Sequence, residues 1–236
     1  MSYDPRSSQT VAYGRGGTLT TELGRNRVLR NTYWLLALSL VPTVFGAWLG
    51  LATGFTFFAG SPFMGLIAFL AIAFGFFYAI NRYRNSAVAV PLLLAFTFFM
   101  GLMLSRLLGV VLGFGNGAQL IMTAFGGTAA IFAAMATVAT VSKRDFSGLG
   151  KWAFVGFIVL LVALVANMWL QMPALMLTIS TLAIVIFSAF LLYDVQRVVN
   201  GGETNYVMAT LSIYISVYNI FANLLALLGI LGGERD

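Results

Sequence analysis

Residues 152–170 read WAFVGFIVLLVALVANMWL, an unbroken apolar run with no charged side chain. A helix rises about 1.5 Å per residue, so about 20 such residues cross the roughly 30 Å of hydrocarbon in a bilayer. This run therefore reads as a membrane span. Outward from it, six more segments have the same length and character: Tyr33 to Ala52, Pro62 to Ile80, Ala87 to Leu108, Gln119 to Val141, Ala174 to Tyr193 and Val207 to Ile230. The expected fold class is all-α, a polytopic bundle of seven transmembrane helices. The expected division is a basic tail over residues 1–32 and one transmembrane domain over 33–236.

The charges in the gaps orient the bundle. Of 13 Lys and Arg residues, the segment before the first span holds Arg6, Arg15, Arg25, Arg27 and Arg30. Alternate gaps hold Arg82 and Arg84, then Lys143, Arg144 and Lys151, then Arg197. The intervening gaps, Thr53 to Ser61, Gly109 to Ala118 and Gln171 to Pro173, hold none. Basic residues are retained on the cytoplasmic side, so the N-terminus is expected there and Asp236 on the opposite side. The tail is polar and Gly-rich, lacks a cleavable apolar core, and reads as disordered.

With 60% hydrophobic and 8% charged residues, the chain is too apolar for a water-soluble fold, in which about a quarter of residues are charged. The net charge of +6 comes from membrane-flanking segments, which suit anionic lipid better than nucleic acid. Cys and His are absent, which removes disulfides, thiolate or imidazole metal ligands and His-based catalysis. No catalytic constellation, resident metal or cofactor is expected.

Few intramembrane residues carry chemistry. Asp194 is the one acid placed against a hydrophobic segment, and a carboxylate at that depth is costly unless paired or useful. Two readings stand beside each other: an interfacial Asp paired with Arg197 one turn on, or a buried titratable gate facing a basic residue of another helix, Arg82 being the candidate. In the seventh segment Ser212, Ser216, Asn219 and Asn223 recur at intervals of four, three and four, which places them on one stripe. Tyr214 and Tyr218 fall on the opposite side. Amides avoid lipid, so the stripe is expected to point into the bundle, with helix seven near its middle, either as packing glue or as a pathway lining. Arg106 reads as a snorkelling residue.

The stretch from Leu191 to Gly229 resembles the last two helices of the Bax inhibitor family, through Gly201-Gly202-Glu203-Thr204-Asn205-Tyr206 and Leu211-Ser212-Ile213-Tyr214-Ile215-Ser216-Val217-Tyr218-Asn219-Ile220-Phe221. Val28-Leu29-Arg30-Asn31-Thr32-Tyr33, Phe146-Ser147-Gly148-Leu149-Gly150 and Ala166-Asn167 extend the likeness, which is nearest to the bacterial YccA branch. The resemblance implies six helices around a central seventh. In members that leak calcium it also implies a pair of acids that share a proton at the gate. Asp194 matches the first acid, and Arg82 the basic residue that pairs with it. Ser216 stands where the second acid would be. Two close carboxylates raise one another's proton affinity, and a lone Asp lacks that device.

The YccA branch is instead associated with the membrane AAA protease FtsH and its prohibitin-like partners, as modulator and slow substrate. The resemblance thus implies an inner-membrane interaction protein that restrains FtsH. The alternative is a pH-sensitive calcium or cation leak channel with Asp194 as gating acid and calcium bound only in transit.

Overall fold

A computed structural model describes residues 7–57 and 61–233. Residues 1–6 of the expected tail and Asp236 lie outside them. The described chain forms seven helices: α1 (Ser7–Thr53), α2 (Pro62–Arg82), α3 (Ala89–Leu112), α4 (Gly117–Val141), α5 (Ser147–Leu170), α6 (Pro173–Val199) and α7 (Tyr206–Gly232). Each contains a span of 20 to 28 residues that is long and apolar enough to cross a bilayer. The spans match the seven expected segments. The first begins at Asn26, and α1 runs without a break from Ser7, so no end of helix marks the expected boundary at residue 32.

Side-chain caps fix the starts of α2 and α7. Ser61 accepts a hydrogen bond from the Met64 amide at 3.4 Å, with Pro62 in the first turn of α2. Asn205 accepts from the amides of Val207 and Met208, both at 3.0 Å, and so caps α7. The turn from α6 to α7 contains Gly201 at φ 75°, a left-handed conformation that glycine adopts without steric cost.

α1 and α3 lie against each other along their length, and glycine sets that approach. A side chain at Gly46 would meet the carbonyl of Phe98, and one at Gly101 would meet the carbonyl of Thr43. Backbone-close crossings of this kind are how membrane helices gain dispersion energy where lipid offers no hydrophobic drive. α7 packs against α1, α3, α4 and α6 and touches α2, which makes it the central helix. α5 departs from the expected ring of six around α7. It packs on α6, and a cavity separates it from α7.

The main core joins Leu93, Phe96, Leu191, Ile213, Tyr214 and Ile220 among its fully buried side chains. A smaller one, around Val111, Ala124 and Leu225, closes the other end between α3, α4 and α7. Aromatic contacts tie α2 to α3: Phe69 stacks on Phe99 with ring centroids 6.0 Å apart, and Phe77 meets Phe96 edge-on at 5.4 Å.

Three turns meet at one end of the bundle, and they are the turns that carry the basic residues. The Asn205 side-chain amide donates to the Arg84 carbonyl at 2.8 Å and to Asn85 Oδ1 at 3.0 Å, which joins the α6–α7 turn to the α2–α3 turn. Gln196, 4% exposed, donates from Nε2 to the Arg144 carbonyl at 2.7 Å and accepts the Phe146 amide at 2.8 Å. That pair of bonds fastens the α4–α5 turn to α6. The alternation of charge in the sequence thus corresponds to one basic end in space.

Candidate functional site

The stripe on α7 faces a cavity of about 540 Å³. Ser212, Ser216, Asn219 and Asn223 all line it, as the intervals of four, three and four require for one helix face. Asp194 lines the same cavity from α6, where it lies five residues before the end of the helix and is half-buried. The expected inward direction of the stripe holds. Tyr214 lies away from the cavity as expected, but Tyr218 lines it beside the stripe, because its position is only about a third of a turn from Asn219 on the helix wheel. Tyr214 hydroxyl lies 2.8 Å from Thr43 Oγ1, and Tyr218 hydroxyl donates to the Met100 carbonyl at 3.1 Å. These bonds anchor α7 to α1 and α3.

Much of the stripe's hydrogen bonding is spent on its own helix. Ser212 donates to the Met208 carbonyl at 3.2 Å, Asn219 to the Ile215 carbonyl at 2.8 Å and Asn223 to the Asn219 carbonyl at 2.8 Å. Donation along the helix leaves each amide oxygen available to the cavity as an acceptor. Ser216, 2% exposed, contributes a hydroxyl with no hydrogen bond among the described residues.

Both expected ion-pair partners of Asp194 are elsewhere. Arg197 turns to Glu203, Nη2 to Oε2 at 2.9 Å, and this is the ion pair among the described residues. Glu203 sits in the α6–α7 turn, where its other oxygen accepts the Asn205 amide at 3.0 Å, so the turn holds the acid in front of Arg197. Arg82 is exposed at the end of α2, a helix that packs on α3 and α7 and not on α6, and it forms no ion pair with Asp194. Asp194 therefore carries neither hydrogen bond nor ion pair among the described residues. Arg106 is exposed on α3, as a snorkelling side chain would be.

The rest of the lining is apolar and rich in phenylalanine. Phe69, Phe74 and Phe77 come from α2, Phe154 and Phe157 from α5, and Phe187 and Phe190 from α6. Phe74 and Phe154 are 65% and 57% exposed, which puts the cavity mouth on the lateral surface between α2 and α5. These two helices meet through Phe63 and Trp169, whose rings are 5.8 Å apart, at the end away from the basic turns. Toward the basic end, a void of about 10 Å³ lies between Asp194, Ser212 and the Arg197–Glu203 pair.

Gln196, Glu203 and Asn205 escaped the sequence reading. Each bonds a turn that is remote in the chain or a partner set by turn geometry. The one local signal was Asn205, which stands immediately before the apolar run of α7 as a helix cap does.

Residues 25–233 match the family model described as "Inhibitor of apoptosis-promoting Bax1". An uncharacterized protein of Neisseria meningitidis serogroup A is 39% identical over 90% of this chain and 94% of its own length. The Escherichia coli K12 protein named "Modulator of FtsH protease YccA" is 38% identical over 89% of this chain and 93% of its own. Its counterpart in Escherichia coli O6:H1, with the same identity and coverage, is named "Inner membrane protein YccA". Seven helices able to span a bilayer agree with a multi-pass inner-membrane protein. Matched over nearly its whole length, with a central seventh helix, the chain belongs to the Bax inhibitor family.

Proposed function

We propose that this protein binds and restrains a membrane-bound AAA protease of the FtsH type and is itself degraded slowly by it. The observation that carries this reading is the 38% identity, over 93% of its length, to the Escherichia coli protein named as a modulator of FtsH. Ser216 supports it, because a hydroxyl in place of a second carboxylate removes the basis for proton sharing with Asp194. The first turns of α1 give a processive protease somewhere to begin. Gly14, Gly16, Gly17 and Gly24 weaken the helix there, and a side chain at Gly24 would meet nothing within 4 Å.

Deleting residues 2–26 and following turnover by pulse-chase in cells with and without FtsH tests the reading. Slower loss of the truncated protein, with unchanged membrane insertion, is the expected result. Equal decay of both forms, or no FtsH or prohibitin-like protein among the partners co-purified from native membranes, overturns it.

A second reading, a cation leak that carries calcium, draws on the one cavity shared by Asp194, Asn219 and Asn223. Calcium takes six to eight oxygen ligands, and one carboxylate is a meagre share of them. Calcium flux into liposomes that Asp194→Asn abolishes would favour it over the protease role.

A further inference from the structure

We infer that the phenylalanine-lined cavity is a binding site for an amphiphilic organic cation, an alkyl chain bearing a quaternary or protonated amine, which enters from the bilayer and sets its charge near Asp194.

Four observations converge on that chemistry. The volume of about 540 Å³ falls within the roughly 300 to 1,000 Å³ of small-molecule sites. The mouth is lateral: Phe74 and Phe154 line the cavity and are exposed to the lipid face between α2 and α5. The opposite approach is too narrow for an organic ligand, because the 10 Å³ void behind Asp194 admits about one water molecule and the Arg197–Glu203 ion pair lines it. A ligand that reaches the carboxylate therefore comes through hydrocarbon and must itself be largely apolar.

The charged end follows from what surrounds Asp194. Phe187 and Phe190 precede it by seven and four residues on α6, two turns and one turn back on the same face, and Phe157 stacks edge-on against Phe187 at 6.0 Å. Ring faces attract a desolvated ammonium, most strongly when the cation is organic and weakly hydrated. A carboxylate with no hydrogen bond or ion pair among the described residues supplies the opposite charge, and Arg197, across the small void, is paired with Glu203. An anionic amphiphile would meet like charge, and a neutral one would leave the carboxylate unmatched. Calcium would exchange its water shell for rings. The Asn219 and Asn223 oxygens, farther along α7, suit polar substituents on the chain.

The test uses the full-length protein in alkyl maltoside micelles and three photoactivatable probes with the same diazirine-bearing hexadecyl chain: a trimethylammonium, an alcohol and a sulfate. The trimethylammonium probe is expected to label peptides of α2 and α5 that line the cavity, with an affinity about tenfold above the alcohol and with no saturable labelling by the sulfate. Asp194→Asn is expected to bring ammonium and alcohol to within about threefold of each other. Equal affinity of ammonium and alcohol for the unaltered protein overturns the proposal. So does ammonium labelling confined to outer, lipid-facing surfaces, or full ammonium preference retained in Asp194→Asn. The comparison of head groups on the unaltered protein stands even if the variant fails to fold, and none of these results depends on FtsH.

Discussion

Replacing Gln196 by methionine keeps the length and most of the volume of the side chain but deletes both bonds to the α4–α5 turn. Those bonds, at 2.8 Å from the Phe146 amide and 2.7 Å to the Arg144 carbonyl, are made by a residue only 4% exposed. Each is worth about 1 kcal/mol net, and the turn lies close enough to water to recover part of what it loses, so the variant should open the turn by about 2 kcal/mol. At about 1.4 kcal/mol per decade, that is about a thirtyfold loss of protection at the Phe146 amide. Hydrogen exchange followed by mass spectrometry in micelles reads this directly. Exchange should rise over residues 144–149 and stay unchanged in α1 and α3. Protection at Phe146 within about threefold of the parent, or a rise spread equally through all seven helices, would refute the reasoning, because the first denies the bonds and the second makes Gln196 a general core residue.

Gly101→Val should destabilise the bundle by about 3 kcal/mol or more in an SDS unfolding titration, since the added carbons meet the Thr43 backbone; Gly75→Ala, where a side chain meets nothing, should be neutral. Tyr214→Phe removes one buried hydroxyl and should cost about 0.6 to 1.7 kcal/mol in the same titration, whereas Tyr214→Ala should cost about 3 to 5. Asp145 accepts the Ser147 amide at 2.8 Å and the Ser147 hydroxyl at 2.9 Å, and these bonds hold its carboxyl below the ordinary carboxylate range. Its contribution to the start of α5 is complete above the unfolded value of about 3.9 and is lost as pH falls through the lower folded value, so protection of the Ser147 amide, taken relative to its intrinsic exchange rate at each pH, should fall in that acid window and not above it.

The spans were legible because the bilayer imposes a length, and a run such as 152–170 has no other economical reading. The direction of the α7 stripe was legible for a similar reason: intervals of four, three and four put Ser212, Ser216, Asn219 and Asn223 on one face whatever surrounds them. Partners across space were not. A spacing of three made Arg197 the natural mate of Asp194, yet the turn after α6 presents Glu203 to the guanidinium instead. Arg82 depended on α2 lying beside α6, and helix order is not written in hydropathy. The lateral cavity was hidden too, since Phe74 and Phe154 look like any lipid-facing phenylalanine until α5 is seen to stand off from α7.

The middle position of α7 has a consequence for biogenesis. Translation delivers the six earlier helices first, so until residues 206–232 leave the ribosome the others have no common centre, and hydroxyls such as Thr43 await the tyrosine that will meet them. The newborn protein must be sheltered in a half-built form, and a stalled message that ends before α7 would yield an intermediate with its inner faces bare to lipid and to quality control.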